Sequence, residues 1–443
     1  MIENELMKKL ILVLLMCVIS NATGRAQQGS TANTDVVTLA KKFVEMLSQN
    51  NYAGAVATFD DTVRAAMPPD KIQETWNAVI SQAGGFKRQV RTRTQKSSGY
   101  DIVLVTCEFE KTLLDIKLVF DQSRHIAGLF FVPTVEELPA KYIKEGTFTE
   151  KEVTVGTPVG ALPGTLTLPN GAGPFPGVVL VHGSGGNDRD ESLGATKPFR
   201  DLALGLASNG IAVLRYDKRT KLYPEKLGTH FTVKDETIDD ALAAVEVLRK
   251  QDNIDKKRIF VLGHSLGGML VPRIAKLDQN VAGFIIMAGP TKPLEDAILE
   301  QSIYLFSLNG PISKPDEQRL ARIKEQVAKV KSLKPSDIDA PIFLFGAPPA
   351  YWLDLQGYEP ATTASTLKQQ LLILQGERDY QVTMNDFAKW KATLGGKSKL
   401  TFKSYPKLNH LFMEGEGKSV PSEYDRPTHI SEAVISDIVQ WIK

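Results

Sequence analysis

The chain has 443 residues, which is too long for one ordinary domain and predicts two or three. Apolar residues make up 42 % of the chain and aromatic residues 8 %, as in globular proteins with a large core. The formal net charge is only +2, and no long run of lysine and arginine occurs. The composition therefore does not indicate nucleic acid or an anionic membrane surface as a partner.

Residues 1–26 have the pattern of a signal peptide for export. Lys8 and Lys9 precede the apolar run from Leu10 to Ile19, and Gly24-Arg25-Ala26 offers a small-x-small cleavage site. The apolar run is too short to span a bilayer as a helix. We therefore expect an exported protein, periplasmic or secreted, with no membrane span.

Cleavage would leave Cys107 as the single cysteine, so that no disulfide could form within the chain. Lipid attachment at Cys17 is disfavoured, because Met16 directly before it does not fit that processing signal. Cys107 lies in the alternating run from Ile102 to Phe109, which predicts a buried structural thiol.

Residues 33–135 predict a small α+β domain. Apolar residues recur at helical spacing from Thr34 to Leu47, and a second helical stretch follows from Asp70 to Gln82. The pattern then changes to four short strands, at Phe86 to Thr94, Tyr100 to Glu108, Thr112 to Phe120 and Ile126 to Phe131. This order resembles the cone-shaped, cystatin-like domains of the nuclear transport factor family. The resemblance implies a passive module or one that joins two copies in a homodimer, with small-ligand binding as the alternative.

Residues 147–443 alternate between strand and helix patterns, which predicts an α/β domain with a doubly wound, mostly parallel sheet. Strands are predicted at Glu152 to Val155, Thr165 to Leu168, Val178 to Val181, Ile211 to Leu214, Ile259 to Leu262, Val281 to Met287, Leu371 to Leu374 and Leu400 to Tyr405. Helices are predicted at Ile238 to Gln251, Leu266 to Leu277 and Ile430 to Trp441.

Residues 288–367 interrupt this alternation for about 80 residues, far longer than an ordinary connection. Helical patterns run from Leu294 to Leu308 and from Asp316 to Leu333. We interpret the segment as a helical cap insertion over an active-site mouth. Tyr351 and Trp352, in a Pro/Gly-rich part of it, are candidate substrate-pocket residues; the alternative is that they only fill the core of the cap.

Ser265 is the candidate nucleophile. It stands at the centre of G-H-S-L-G, between a buried strand pattern and a helix pattern. A serine on such a sharp strand-to-helix turn presents its hydroxyl above the sheet, and glycines on either side avoid collisions with neighbouring elements.

A serine hydroxyl needs a base to accept its proton, and histidine has a suitable pKa. On this kind of turn an acid and then a histidine follow the serine in the chain, which leaves His410 and His429 as candidates. We favour His410, in a loop after a predicted strand. A carboxylate should orient its ring, and Asp379, after the strand at Leu371 to Leu374, is the candidate. Glu377 and Asp354 remain as rivals.

The backbone amides of Leu266 and Ser184 are the candidate oxyanion hole, because a tetrahedral intermediate needs two fixed donors for its negative oxygen. Ser184 belongs to the loop H-G-S-G-G, whose spacing fits neither phosphate-binding glycine motif. Nearby charged residues are expected to brace these loops by ion pairs, with substrate recognition as the minority alternative: Asp188, Arg189, Asp190, Arg215, Asp217 and Lys218.

From about Thr147 onward the chain resembles the α/β-hydrolase superfamily, in particular its exported esterase and serine-aminopeptidase-like branch. The matching motifs are H-G-S-G-G-N-D-R-D, R-Y-D-K-R, G-H-S-L-G-G, G-E-R-D and N-H-L-F. The resemblance implies hydrolysis of a small carboxylic ester through an acyl-serine, with Ser265, His410 and Asp379 as the triad. A peptidase acting on short peptides and a thioesterase are alternatives, as is a binding protein on a hydrolase scaffold. No metal-ligand cluster and no cofactor motif is visible, so we expect neither.

Overall fold

The computed structural model describes residues 31–97, 100–134, 139–157, 160–308, 310–396 and 399–443. The predicted signal peptide lies outside these residues. The chain divides into two compact units, Met1–Glu136 and Glu137–Lys443. None of the helices in the described ranges is long and apolar enough to cross a membrane.

The N-terminal unit pairs helices with a four-stranded antiparallel sheet of order β1-β2-β3-β4. Its elements are α1 (Thr31–Ser48), α2 (Tyr52–Val56), α3 (Asp61–Ala66), α4 (Pro69–Ala83), β1 (Phe86–Ser97), β2 (Tyr100–Phe109), β3 (Leu113–Phe120) and β4 (Ile126–Pro133). The predicted α+β domain is confirmed. The sequence pattern missed α2 and α3, which have only five and six residues and therefore show no helical periodicity.

Hydrophobic periodicity explains how this unit forms its core. Helix α1 buries Val36, Ala40, Phe43 and Leu47, which lie on one face of a helix and pack against the sheet. Cys107 is fully buried in the same core, and burial raises the pKa of its thiol to about 12. The prediction of a buried structural thiol is confirmed.

The C-terminal unit contains an eight-stranded sheet of order β12-β11-β10-β9-β7-β8-β6-β5. The strands from β12 to β8 in this order are parallel to one another, and β6 pairs antiparallel with both β8 and β5. The strands are β5 (Phe148–Thr157), β6 (Gly160–Pro169), β7 (Phe175–Val181), β8 (Ala212–Tyr216), β9 (Ile254–His264), β10 (Gly283–Met287), β11 (Gln370–Gly376) and β12 (Leu400–Tyr405). The α-helices among the described residues of this unit are α5 (Pro198–Ala207), α6 (Arg219–Leu222), α7 (Asp239–Arg249), α8 (Leu266–Leu277), α9 (Leu294–Ser307), α10 (Lys314–Ser332), α11 (Pro349–Leu355), α12 (Pro360–Ala364), α13 (Met384–Leu394) and α14 (Glu432–Ile442).

The central strands are buried on both sides, which explains their continuous apolar runs. Helices α7, α8 and α13 contribute to the core on one face of the sheet, and α5 and α14 to the core on the other. The predicted doubly wound, mostly parallel sheet is therefore confirmed.

The structure corrects several details of the prediction. The segment around Tyr351 and Trp352 forms α11, because two prolines start a helix that the Pro/Gly content obscured. Helices α5 and α13 were not predicted. The final helix begins at Glu432 rather than Ile430. Within the insertion, α9 and α10 fall within two residues of their predicted bounds.

Candidate active site

Ser265 occupies a strained turn between β9 and α8. Its φ of 53° and ψ of −117° lie in the left-handed half of backbone space, which non-glycine residues rarely adopt. The turn fits only because its flanks are glycines. A Cβ added to Gly267 would lie 2.3 Å from the carbonyl oxygen of Val181, and one added to Gly263 would lie 2.3 Å from the carbonyl oxygen of Gly267. The sharp strand-to-helix turn predicted for Ser265 is thus present.

His410 and Asp379 are brought together by the loops that follow β12 and β11. His410 Nδ1 lies 2.6 Å from Asp379 Oδ2, and both side chains are buried. The amides of Gln381 and Val382 donate to Asp379 Oδ1 at 2.8 and 3.0 Å, and Gln375 Nε2 donates to Oδ2 at 3.2 Å. Because each carboxylate oxygen has fixed partners, the carboxylate holds the imidazole in one orientation.

The side chains of the rival candidates for the acid and the base contact other groups. Glu377 accepts a hydrogen bond at 2.8 Å from a serine hydroxyl of β12. Asp354 is paired with Arg273 of α8 at 2.7 Å. His429, the other candidate base, lies before α14 begins, and its Nδ1 is 2.9 Å from a carboxylate oxygen of Asp201.

Ser265 and His410 line one cavity of about 760 Å³. Within the described residues, no hydrogen bond joins the side chains of Ser265 and His410. Hydrogen bonds between catalytic groups are often long before substrate binds. Residues of the insertion form much of its wall, including Leu294, Ile298, Phe343, Phe345, Tyr351 and Trp352. Tyr351 and Trp352 thus line the cavity, and their contact with substrate stays a prediction.

The H-G-S-G-G loop lies directly beside the serine. A Cβ added to Gly183 would lie 3.1 Å from Cβ of Ser265. The amides of Ser184 and Leu266 belong to residues that line the same cavity. Leu266 is the first residue of α8, where an N–H has no acceptor within its own helix. Both positions therefore suit donors to a negative oxygen formed at the serine.

A second histidine and a carboxylate, which sequence reasoning did not pair, lie next to this site. His264 Nδ1 is 2.9 Å from Glu191 Oε2, and His264 Nε2 is 3.0 Å from the carbonyl oxygen of His410. A carbonyl oxygen can only accept, so Nε2 carries a proton. Burial alone would lower the pKa of His264, but the charge of Glu191 outweighs it and the pKa is raised. Burial alone would raise the pKa of Glu191, but the charge of His264 outweighs it and the pKa is lowered. Both shifts favour the charged forms, an imidazolium beside a carboxylate.

Ion pairs brace the loops around the site, as predicted. Arg189 Nη2 lies 3.0 Å from Asp217 Oδ2, and Arg215 Nη1 lies 2.7 Å from Asp190 Oδ1. Asp188 instead accepts backbone N–H groups of its own turn. The partner of Lys218 is Glu236, at 3.1 Å, which sequence reasoning missed because nothing in the local pattern distinguishes it.

Comparisons with known proteins identify the family of the chain. The model of the prolyl oligopeptidase family matches residues 206–427. A curated protein of Thermotoga maritima, "Esterase EstD", is 37 % identical over 404 residues, which cover 90 % of this chain and 93 % of that protein. The chain belongs to the prolyl oligopeptidase family. This confirms the predicted resemblance to hydrolases. Residues 40–129, in the N-terminal unit, match a second family, described as a protein of unknown function, DUF3887.

Solved structures of two esterases are similar to about two thirds of the chain. An esterase of Pyrococcus furiosus is 17 % identical, with a TM-score of 0.44, and the match covers 67 % of this chain and 90 % of that one. A hyperthermophilic esterase of Pyrobaculum calidifontis is 19 % identical, with a TM-score of 0.43, covering 68 % and 88 %. Within the described ranges, no group of three or more His, Cys, Asp and Glu side chains is placed to hold a metal ion.

Proposed function

We propose that this protein is a serine hydrolase that cleaves carboxylic esters through an acyl-serine intermediate. The observation that supports it most is the buried pair of His410 and Asp379 on the same cavity as the strained Ser265. In this proposal Ser265 Oγ attacks the ester carbonyl carbon as His410 Nε2 takes its proton. The proton then passes to the departing alcohol.

Water completes the reaction. His410 removes a proton from a water molecule that attacks the acyl-serine, and returns it to Ser265 Oγ as the acid leaves. Each tetrahedral intermediate carries a negative oxygen, for which the amides of Ser184 and Leu266 are the donors.

The charges of the cavity wall favour an ester over a peptide that is held by its amino terminus. A peptidase that holds the amino terminus of its substrate needs a carboxylate free to bind it. The two glutamates of the described wall are already compensated, Glu191 by His264 and Glu236 by Lys218. The insertion adds an apolar surface suited to an uncharged acyl or alcohol group. The relative from Thermotoga maritima, named an esterase, supports the same choice.

Labelling and kinetics test this function. A fluorophosphonate probe should modify Ser265, and Ser265→Ala should lower kcat for p-nitrophenyl acetate by about 10⁴-fold or more. Ser192→Ala is the matched control, since Ser192 lines the same cavity away from the turn and should change little. Undiminished turnover by Ser265→Ala would refute the proposal. Faster cleavage of aminoacyl p-nitroanilides than of esters would favour the peptidase.

We also propose, from the sequence pattern of Lys8 to Ala26, that the chain is exported and cleaved near Ala26. The mass of the mature protein from a periplasmic or culture fraction tests this, because an uncleaved chain would be heavier by the whole leader. For the N-terminal unit we propose a dimerising role. The molecular mass of the purified protein in solution tests this, because a dimer has twice the mass of one chain.

A further inference from the structure

The peptide group that joins Gly183 to Ser184 has a charged partner. Its N–H, on Ser184, is one proposed donor to the oxyanion. Its carbonyl oxygen, on Gly183, accepts a hydrogen bond from Lys218 Nζ at 2.8 Å and one from Asn187 Nδ2 at 3.2 Å. In a trans peptide the C=O and N–H bonds point in opposite directions, so fixing the carbonyl also fixes the direction of the N–H.

Lys218 is buried deeply for a lysine. Its side chain is 2 % exposed, and its ammonium lies 3.1 Å from Glu236 Oε1, on a side chain that is 6 % exposed. Glu236 Oε2 in turn accepts a hydrogen bond from the hydroxyl of Tyr351, on α11 of the insertion, at 3.2 Å. A buried ammonium is costly without a partner, and Glu236 supplies the compensating charge.

We propose that Lys218 is a positioning residue of the oxyanion hole, which orients and polarises the Gly183–Ser184 peptide so that its N–H donates more strongly. The inference rests on the proposed function. Hydrogen bonds from a charged donor are stronger than neutral ones, and bonds in a chain polarise one another where water is excluded. An ammonium on the carbonyl draws electron density from the amide nitrogen, and the Ser184 N–H becomes more positive.

The consequence concerns the transition state rather than the bound ester. The negative oxygen exists only after the serine has attacked, so a stronger Ser184 donor stabilises the intermediate more than the substrate. In this proposal Lys218 acts through the peptide group and forms no bond to the substrate. Its removal should therefore lower kcat and leave KM nearly unchanged.

A purely structural role would behave differently, and the next residue in the chain provides the comparison. Arg219 and Asp240 form another buried ion pair, with Arg219 Nη2 2.5 Å from Asp240 Oδ1 and exposures of 2 % and 1 %. Arg219 bonds to Asp240 through two guanidinium nitrogens rather than to the loop at Gly183. Removal of the Arg219–Asp240 pair should lower the free energy of unfolding, as removal of the Lys218–Glu236 pair does, but it should not lower kcat.

The experiment compares Lys218→Met/Glu236→Gln with Arg219→Met/Asp240→Asn in the full-length protein. Each double variant removes both charges, so that no unpaired ion is left buried. The measurements are urea unfolding, kcat and KM for p-nitrophenyl acetate, and Ki for a trifluoromethyl ketone. This inhibitor forms a tetrahedral adduct with the serine and places an oxyanion in the hole.

We expect the Lys218 variant to lose about tenfold to hundredfold in kcat, less than the loss of a whole oxyanion donor, which costs about 10²–10³-fold. Its Ki for the ketone should rise by the same factor, while KM stays within about twofold. The Arg219 variant should lose stability but keep kcat and Ki. Asn187→Ala, which removes the other donor to Gly183 from a partly exposed side chain, should show a smaller parallel change in kcat and Ki.

The outcomes separate this inference from the proposed function. If the Lys218 variant keeps kcat and Ki, or if both double variants lose activity in proportion to stability, the positioning role is wrong. If the Lys218 variant does not fold, an unchanged kcat and Ki in Asn187→Ala overturns it equally. In these cases an inactive Ser265→Ala still upholds the serine hydrolase, whereas an active one refutes the function itself.

Discussion

Replacing Asp379 by asparagine should abolish most of the activity while leaving the fold in place. Oδ1 of Asp379 accepts two backbone N–H groups, so the amide oxygen of the new side chain must stay at that position. The amide NH₂ then falls where Oδ2 now accepts from His410 and Gln375. A donor there forces His410 Nδ1 to become an acceptor and puts the proton on Nε2.

In that tautomer His410 cannot accept the proton of Ser265, so the base is lost although every side chain keeps its place. The same exchange of carboxylate for amide in a serine protease triad lowers kcat by about 10⁴-fold. A loss of this size corresponds to about 5.4 kcal/mol of transition-state stabilisation. Initial rates with p-nitrophenyl acetate at neutral pH measure it, together with fluorophosphonate labelling rates, which should fall in parallel.

Glu377→Gln is the matched control, because Glu377 was the nearest rival in the sequence and now bonds to a surface serine hydroxyl. It should retain the parental kcat. A rate for Asp379→Asn above one tenth of the parental rate, in a protein with unchanged circular dichroism, would contradict the role given to the carboxylate.

Two further outcomes follow from the same geometry. Gly267→Ala places a methyl group 2.3 Å from the carbonyl oxygen of Val181, so urea unfolding should show a loss of about 3 kcal/mol, whereas Gly156→Ala, with open space around it, should cost far less. Because the pKa of His264 is raised in the fold, its stabilising effect is complete below its unfolded pKa and disappears as pH rises through the folded value. The pKa of Glu191 is lowered in the fold, so its stabilising effect is lost only as pH falls through that lowered value. At alkaline pH only the loss from His264 remains, so the free energy of unfolding should decrease as pH rises. Urea unfolding from pH 6 to 9 should show that decline in the parent and lack it in His264→Gln/Glu191→Gln; equal slopes would contradict the ion pair.

Sequence reasoning succeeded where a signal is local. The turn at Ser265 combines a buried strand, two glycines and an amphipathic helix within a short stretch, so its conformation could be predicted from neighbours in the chain. The positions of His410 and Asp379 followed from a simple rule, that the ends of parallel strands meet at one edge of a sheet. The eight-stranded sheet followed in the same way from alternating patterns.

What could not be predicted depends on contacts between distant parts of the chain. Glu191 reaches His264, and Glu236 reaches both Lys218 and Tyr351, but no spacing marks these partners. Charged residues in surface loops and in buried pairs look alike in a sequence, because burial is a property of the finished packing. Short helices such as α11 were also missed, because seven residues are too few to show a clear helical periodicity.

The origin of the cavity wall has a consequence for how this protein could diversify. Ser265, Asp379 and His410 lie in turns and loops that follow strands of the sheet, whereas the insertion supplies much of the cavity wall, including Leu294, Ile298, Phe345, Tyr351 and Trp352. We expect replacement of the apolar side chains of Leu294, Ile298 or Phe345 to change the shape of the cavity while Ser265, His410 and Asp379 keep their places. New preferences could therefore evolve, or be selected in the laboratory, by changing the insertion alone.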